Sequence, residues 1–161
     1  MAALVTSCEI TTNIESMRVM FAGGYLVCHG KGCRVTLTNV TFKNCCLVTL
    51  GGAKTTLKGT CFANKQMHLL STVAKDAGSK VTMHGGSVIG GENGALVSEG
   101  AYFEATDVTF QKMLDTAVKA QTKSSVLILT GCTFSNLLSM KKFHTSTDAA
   151  TTGTPLSLCM R

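Results

Sequence analysis

The stretch Tyr25–Asn44, YLVCHGKGCRVTLTNVTFKN, reads as one complete structural unit. A short apolar strand around Val27 runs into a glycine-bearing turn at Gly30–Gly32. An alternating strand, Arg34–Thr38, follows, then a bend at Asn39, then Val40-Thr41-Phe42, and the unit closes on Asn44. The same order of features returns in 46–64 (CLVTLGGAKTTLKGTCFAN), 71–91 (STVAKDAGSKVTMHGGSVIGG), 95–112 (ALVSEGAYFEATDVTFQK) and 117–136 (AVKAQTKSSVLILTGCTFSN). Ala3–Gly23 is a degenerate first copy.

Two columns of residues carry the register. The first-strand positions Val5, Val27, Val48, Val73, Val97 and Val118 are 22, 21, 25, 24 and 21 apart. The last-strand positions Phe21, Phe42, Phe62, Ile89, Phe110 and Phe134 are 21, 20, 27, 21 and 24 apart. A repeat of that length is the mark of a solenoid, whose units cannot bury their own apolar faces and must stack on one another. Strand is favoured over helix because Val35-Thr36-Leu37 and Val81-Thr82-Met83 alternate and are rich in β-branched residues. Turns also come too often for helices. The expected fold is all-β: a single-domain, right-handed parallel β-helix of about six rungs with three short strands each, over residues 1–136. Residues 137–161 would form a C-terminal cap and polar tail. A β-sandwich with evenly spaced strands is the competing architecture.

Alternation assigns the interior to Val35, Leu37, Val40, Phe42, Leu57, Phe62, Val81, Met83, Ile89, Val108, Phe110, Val126, Ile128 and Phe134. Cys132 shares the inward column of Val40 and Val108. In the third full unit Gly91 replaces the closing Asn and Ile89 replaces Phe, Gly90–Gly94 reads as a loop, and 65–70 (KQMHLL) reads as an insertion. Leu137–Phe143 is a candidate cap, 144–154 a polar linker and Pro155–Arg161 a short apolar end.

Asn44, Asn64 and Asn136 each stand two residues after a phenylalanine. Stacked asparagines at a tight turn, with left-handed backbone, and a stacked aromatic column at Phe42, Phe62, Phe110 and Phe134 resemble the pectate-lyase-like right-handed parallel β-helices. The resemblance spans about residues 3–136 and implies the fold. For activity it would imply polysaccharide binding or cleavage, which needs convergent carboxylates or an acidic metal cluster with a base. The residues depart from that requirement. The 60 residues between Glu15 and Asp76 contain no acid, and no Asp-Asp pair occurs. Cys28-His29-Gly30 and Met83-His84-Gly85 match the Gly-His-Gly of the polygalacturonase-type enzymes only faintly, and Glu104 and Asp107 read as solvated. No catalytic residues and no cofactor are therefore assigned.

At 161 residues, with 45% apolar and 15% charged residues, the chain can bury a substantial core. No apolar run is long enough for a transmembrane helix. The opening MAALVTSCEITTNIESMR has no basic start and no apolar core, so no secretory signal is read and an intracellular or particle-borne setting is expected. The eight cysteines include no CxxC pair. Zinc bound by Cys28, Cys33, Cys45 and Cys46 is disfavoured by their spacing, and reduced thiols are expected.

Charge is the most informative functional signal. Residues 17–80 hold nine Lys or Arg and one acid, net +8, whereas 81–136 hold three Lys and five acids, net −2. Arg34, Lys54 and Lys80 occupy equivalent outward positions. Thr36, Thr56 and Thr82 stack beside them, with Thr38, Lys58 and His84 beyond. Arg34, Lys54, Lys80, Lys58 and His84 are the candidate binding residues. The expected partner is an acidic protein surface or a further copy of the chain, with acidic polysaccharide as the alternative. A solvated face that blocks edge pairing is the non-functional reading. Nucleic acid is disfavoured because no aromatic residues interleave the basic ones. The strict Thr-x-Thr repetition of ice-binding solenoids is absent. The leading function is a non-catalytic interaction module in a larger assembly.

Overall fold

The computed structural model describes the backbone of residues 2–6, 9–12, 20–65, 69–122, 124–137, 141–145 and 150–151, and the surroundings of side chains within 24–137. The strands are β1 (Ala2–Thr6), β2 (Glu9–Thr12), β3 (Met20–His29), β4 (Arg34–Thr38), β5 (Thr41–Leu50) and β6 (Lys54–Lys58). Then come β7 (Cys61–Ala63), β8 (Thr72–Ala74), β9 (Lys80–His84), β10 (Ser87–Ile89), β11 (Asn93–Val97) and β12 (Tyr102–Thr106). The last are β13 (Thr109–Gln111), β14 (Thr116–Ala120), β15 (Val126–Thr130), β16 (Thr133–Ser135), β17 (Lys141–Thr145) and β18 (Ala150–Thr151). There is no helix among the described residues.

Every strand pairs in parallel with its counterpart one repeat away, so the chain coils as a β-solenoid of about five turns. One face is the seven-stranded sheet β2-β4-β6-β9-β12-β15-β18. The other two faces share the long strands β3 and β5. From β5 they separate into β7-β10-β13-β16 and β8-β11-β14-β17. Beyond Asn136, β17 pairs with β14 and β18 with β15. The rest of the expected cap and tail lies outside the described residues, as does the centre of the 65–70 insertion.

The corners explain why the repeat tolerates so few residue types there. Asn39, Gly59, Gly85, Asp107 and Gly131 stack in one column after the β4-type strand, with φ of 56, 58, 62, 55 and 62°. Only glycine, and asparagine or aspartate at modest cost, enters this left-handed region readily. The column is tied rung to rung by backbone bonds. Asn39 N–H donates to the Lys58 carbonyl at 2.8 Å, Gly59 to His84 at 2.9 Å, Gly85 to Thr106 at 2.8 Å and Asp107 to Thr130 at 2.9 Å.

The interior is filled by inward ladders. Phe42, Phe62, Val88, Phe110 and Phe134 are register partners. Phe42 and Phe62 stack at 4.6 Å and 5°, and Phe110 and Phe134 at 5.4 Å and 9°. Val88, not Ile89, therefore occupies the aromatic column. In β15 the parity is likewise opposite to expectation: Leu127 is buried, whereas Val126 and Ile128 are half-buried on the outer side. Both errors fall where apolar residues stand side by side, Val88-Ile89 and Val126-Leu127-Ile128, so hydrophobicity alone does not tell the inner from the outer position. Val73 aligns with Leu96 and Lys119 rather than with Val97 and Val118, and Val5 aligns with Cys28 rather than Val27. Phe103, Leu47 and Met113 join the core as well.

The closing turn is a mixed ladder. Asn44 and Asn136 are left-handed, with φ of 49 and 51°, and Gly90 and Lys112 take the same conformation at 73 and 57°. Asn64 does not. It is buried, its Oδ1 accepts the Cys45 N–H at 3.2 Å, and its Nδ2 donates to Ser71 Oγ at 2.9 Å. The expected loop at Gly90–Gly94 is shorter than anticipated, because Asn93 and Gly94 already belong to β11.

Candidate functional site

The outer face of the seven-stranded sheet brings the candidate binding residues together. In successive strands Arg34 pairs with Lys54 and Lys54 with Lys80. Two residues along, Thr36 pairs with Thr56 and Thr56 with Thr82; at the far edge Thr38 pairs with Lys58 and Lys58 with His84. Alternation turns all of these outward while Val35, Leu37, Thr55, Leu57, Val81 and Met83 point in and are buried. Arg34, Lys54, Lys58 and His84 are exposed, and Lys80 is half-buried. Arg34, Thr36, Lys54, Thr56, Lys80 and Thr82 line a shallow open groove of about 370 Å3, floored by Val35 and Thr55.

The cations are not equivalent. Lys80 Nζ lies 3.0 Å from Glu104 Oε2 and 4.4 Å above the centre of the Tyr102 ring, both contributed by β12. Tyr102 is the register partner of Lys80, and Glu104 that of Thr82. The ammonium is thus drawn to the fourth rung, where a carboxylate and an aromatic face both stabilise it. Glu104 is not simply a solvated acid. Among the described residues Arg34 and Lys54 have no ion pair. Beyond Arg34, β2 sets Glu9 in register with it. Neighbouring strands are roughly 4.8 Å apart, so the remaining cations repel one another across adjacent rungs. Past Glu104 the face turns apolar at Val126 and Ile128, half-buried on β15.

Glu104 is engaged by Lys80, and Asp107 sits exposed at a left-handed corner. The remaining described ion pairs, Lys75–Glu99 at 3.3 Å and Lys119–Asp115 at 3.9 Å, lie elsewhere on the surface. The Cys45, Cys46 and Cys132 thiols are poorly placed to act as nucleophiles, because thiolate is the reactive form. Burial, with a smaller contribution from Cys45, pushes the Cys46 thiol up to about 12. Burial also raises Cys45 and Cys132 above the usual range. No group of three or more His, Cys, Asp or Glu could hold a metal ion among the described residues. No described helix is long and apolar enough to cross a membrane, which says nothing of strands.

Fold and face together define the class: a parallel β-solenoid with a basic, threonine-lined outer face. No family model, no curated protein and no solved structure matches the chain.

Sequence reasoning located the aligned cations because strand parity and the corner column are both readable there. It missed the Lys80–Glu104–Tyr102 knot. Its signal was available in the equivalence of Lys80 with Tyr102 and of Thr82 with Glu104, one repeat apart.

Proposed function

We propose that the protein is a non-catalytic solenoid module that recognises an acidic segment of a partner protein through the Arg34–Lys54–Lys80 face, as part of a larger intracellular or particle-borne assembly. The carrying observation is the register that stacks Arg34 on Lys54 above a row of threonine hydroxyls, with no anion from the described residues between them. A carboxylate laid on this face relieves like-charge repulsion and accepts hydrogen bonds from the Thr56 and Thr82 hydroxyls. Further copies of the chain qualify as partners too, because the late rungs are net acidic.

The resemblance to pectate-lyase-like β-helices extends to the stacked phenylalanines and to left-handed Asn44 and Asn136. It supports an architecture, and no carboxylate cluster accompanies it on the basic face among the described residues. Acidic polysaccharide is accordingly the second reading, favoured by the open groove.

The test is fluorescence anisotropy with labelled oligo-glutamate, and in parallel with oligogalacturonate. Exposed charges are screened over roughly 10 Å at 0.1 M salt. Binding is expected at low salt and should weaken as salt rises, mainly through slower association. The triple substitution of Arg34, Lys54 and Lys80 by Gln should reduce it with the circular dichroism unchanged. Affinity indifferent to both would reduce the face to a solvated surface. Chain cleavage of oligogalacturonate, abolished by Glu104→Gln or Asp107→Asn, would replace the proposal with an enzymatic one.

A further inference from the structure

We infer that Glu104 is a specificity-determining residue of the basic face: a built-in competitor that withholds Lys80 from an incoming acidic segment and confines the primary contact to Arg34 and Lys54. This rests on the anion-binding reading above. Lys80 and Glu104 are 39% and 29% exposed at the side chain, so their 3.0 Å contact is shielded from solvent more than an ordinary surface pair. The Tyr102 ring, 4.4 Å beneath the ammonium, holds it on the same side. Arg34 and Lys54 are exposed and have no ion pair among the described residues.

The consequence follows from exchange. A ligand carboxylate that reaches Lys80 must displace another carboxylate, so one ammonium–carboxylate contact is traded for an equal one. The net gain at Lys80 is near zero, although the residue lines the same groove as its two neighbours. At Arg34 and Lys54 the ligand displaces no ion-pair partner from the described residues. Arginine adds a planar fork suited to bidentate carboxylate binding. Rows of three aligned cations therefore act as a two-cation anchor, with the third kept in reserve by β12.

The experiment measures oligo-glutamate affinity for the full chain and its single variants at low salt. Arg34→Gln and Lys54→Gln should each weaken binding by about three- to fivefold, the range of a partly exposed charge pair. Lys80→Gln should change it by less than about twofold. Glu104→Gln should strengthen it by about three- to fivefold, since a third cation is released. In the double variant Lys80→Gln/Glu104→Gln that gain should disappear, which a general structural effect of losing Glu104 would not produce. Salt-dependent binding by the unmodified chain, with no gain in Glu104→Gln and with Lys80→Gln as damaging as Lys54→Gln, would overturn the inference and leave the proposed function standing. Absence of binding in both the unmodified chain and Glu104→Gln would defeat the proposed function itself.

Discussion

Replacing Gly85 and Gly86 by alanine, one at a time, separates two costs that the solenoid imposes at neighbouring positions. Both glycines are left-handed, with φ of 62 and 90°. A Cβ added to Gly85 meets nothing within 4 Å. Its cost is backbone strain alone, about 1–2 kcal/mol. For a domain of this size that lowers the melting temperature by about 3–6 °C. Asparagine should do better than alanine there, because Asn39 and Asp107 hold the same column at φ 56 and 55°. A Cβ added to Gly86 instead falls on the backbone of Thr60 in the preceding rung, onto its carbonyl oxygen and 2.8 Å from its nitrogen. Backbone in a parallel stack cannot swing aside as a side-chain tip can. The rungs must part, stretching the 3.1 Å bond from Ser87 N–H to the Thr60 carbonyl. Strain of about 1–2 kcal/mol, overpacking of about 1–3 kcal/mol and a weakened hydrogen bond of about 1 kcal/mol combine to about 3–6 kcal/mol. Urea unfolding followed by circular dichroism measures both variants. Equal losses, or a neutral Gly86→Ala, would refute the stacking of Gly86 beneath Thr60 and the register with it.

Phe62→Ala removes a fully buried ring from between Phe42 and Val88 and should cost about 3–5 kcal/mol. Phe134→Ala, at a half-buried end of the column, should cost about 2 kcal/mol, and the reverse order in urea melts would contradict the column. Cys46 supplies a pH dependence. Its thiol is raised from 9.0 to about 12 in the fold, so the folded chain keeps a proton that the unfolded chain loses. That stability is fully present below pH 9 and is lost as pH rises toward 12. Between pH 8 and pH 10 the loss is about 1.4 kcal/mol. Cys46→Ala should flatten the stability profile over that interval by about this amount, and an unchanged slope would show that Cys46 does not stay protonated there.

Much of the fold was legible because solenoid physics is local and repetitive. A rung cannot bury its apolar side alone, so the period must appear in the sequence, and left-handed corners admit so few residue types that Asn39, Gly59, Gly85, Asp107 and Gly131 mark the turns. Legibility failed where that punctuation was missing. Val88-Ile89 and Val126-Leu127-Ile128 are runs of consecutive apolar residues, and adjacent apolar residues do not by themselves show which one faces in. Asn64 matched the ladder by spacing, yet its backbone is not left-handed and its side chain is drawn inside to bond Cys45 and Ser71.

For the basic face the division is similar. Alternation alone turned Arg34, Lys54 and Lys80 outward, and equal spacing from the corner put them in one column; these are properties of a period-two strand on a repeating coil. Which cation stays open was decided only in three dimensions. Lys80 could lean toward Lys54 or toward the next rung, and sequence spacing does not distinguish the two. The side chain settles against Glu104 and Tyr102 because there a carboxylate and a ring face stabilise the ammonium together, whereas on the other side it would meet a like charge.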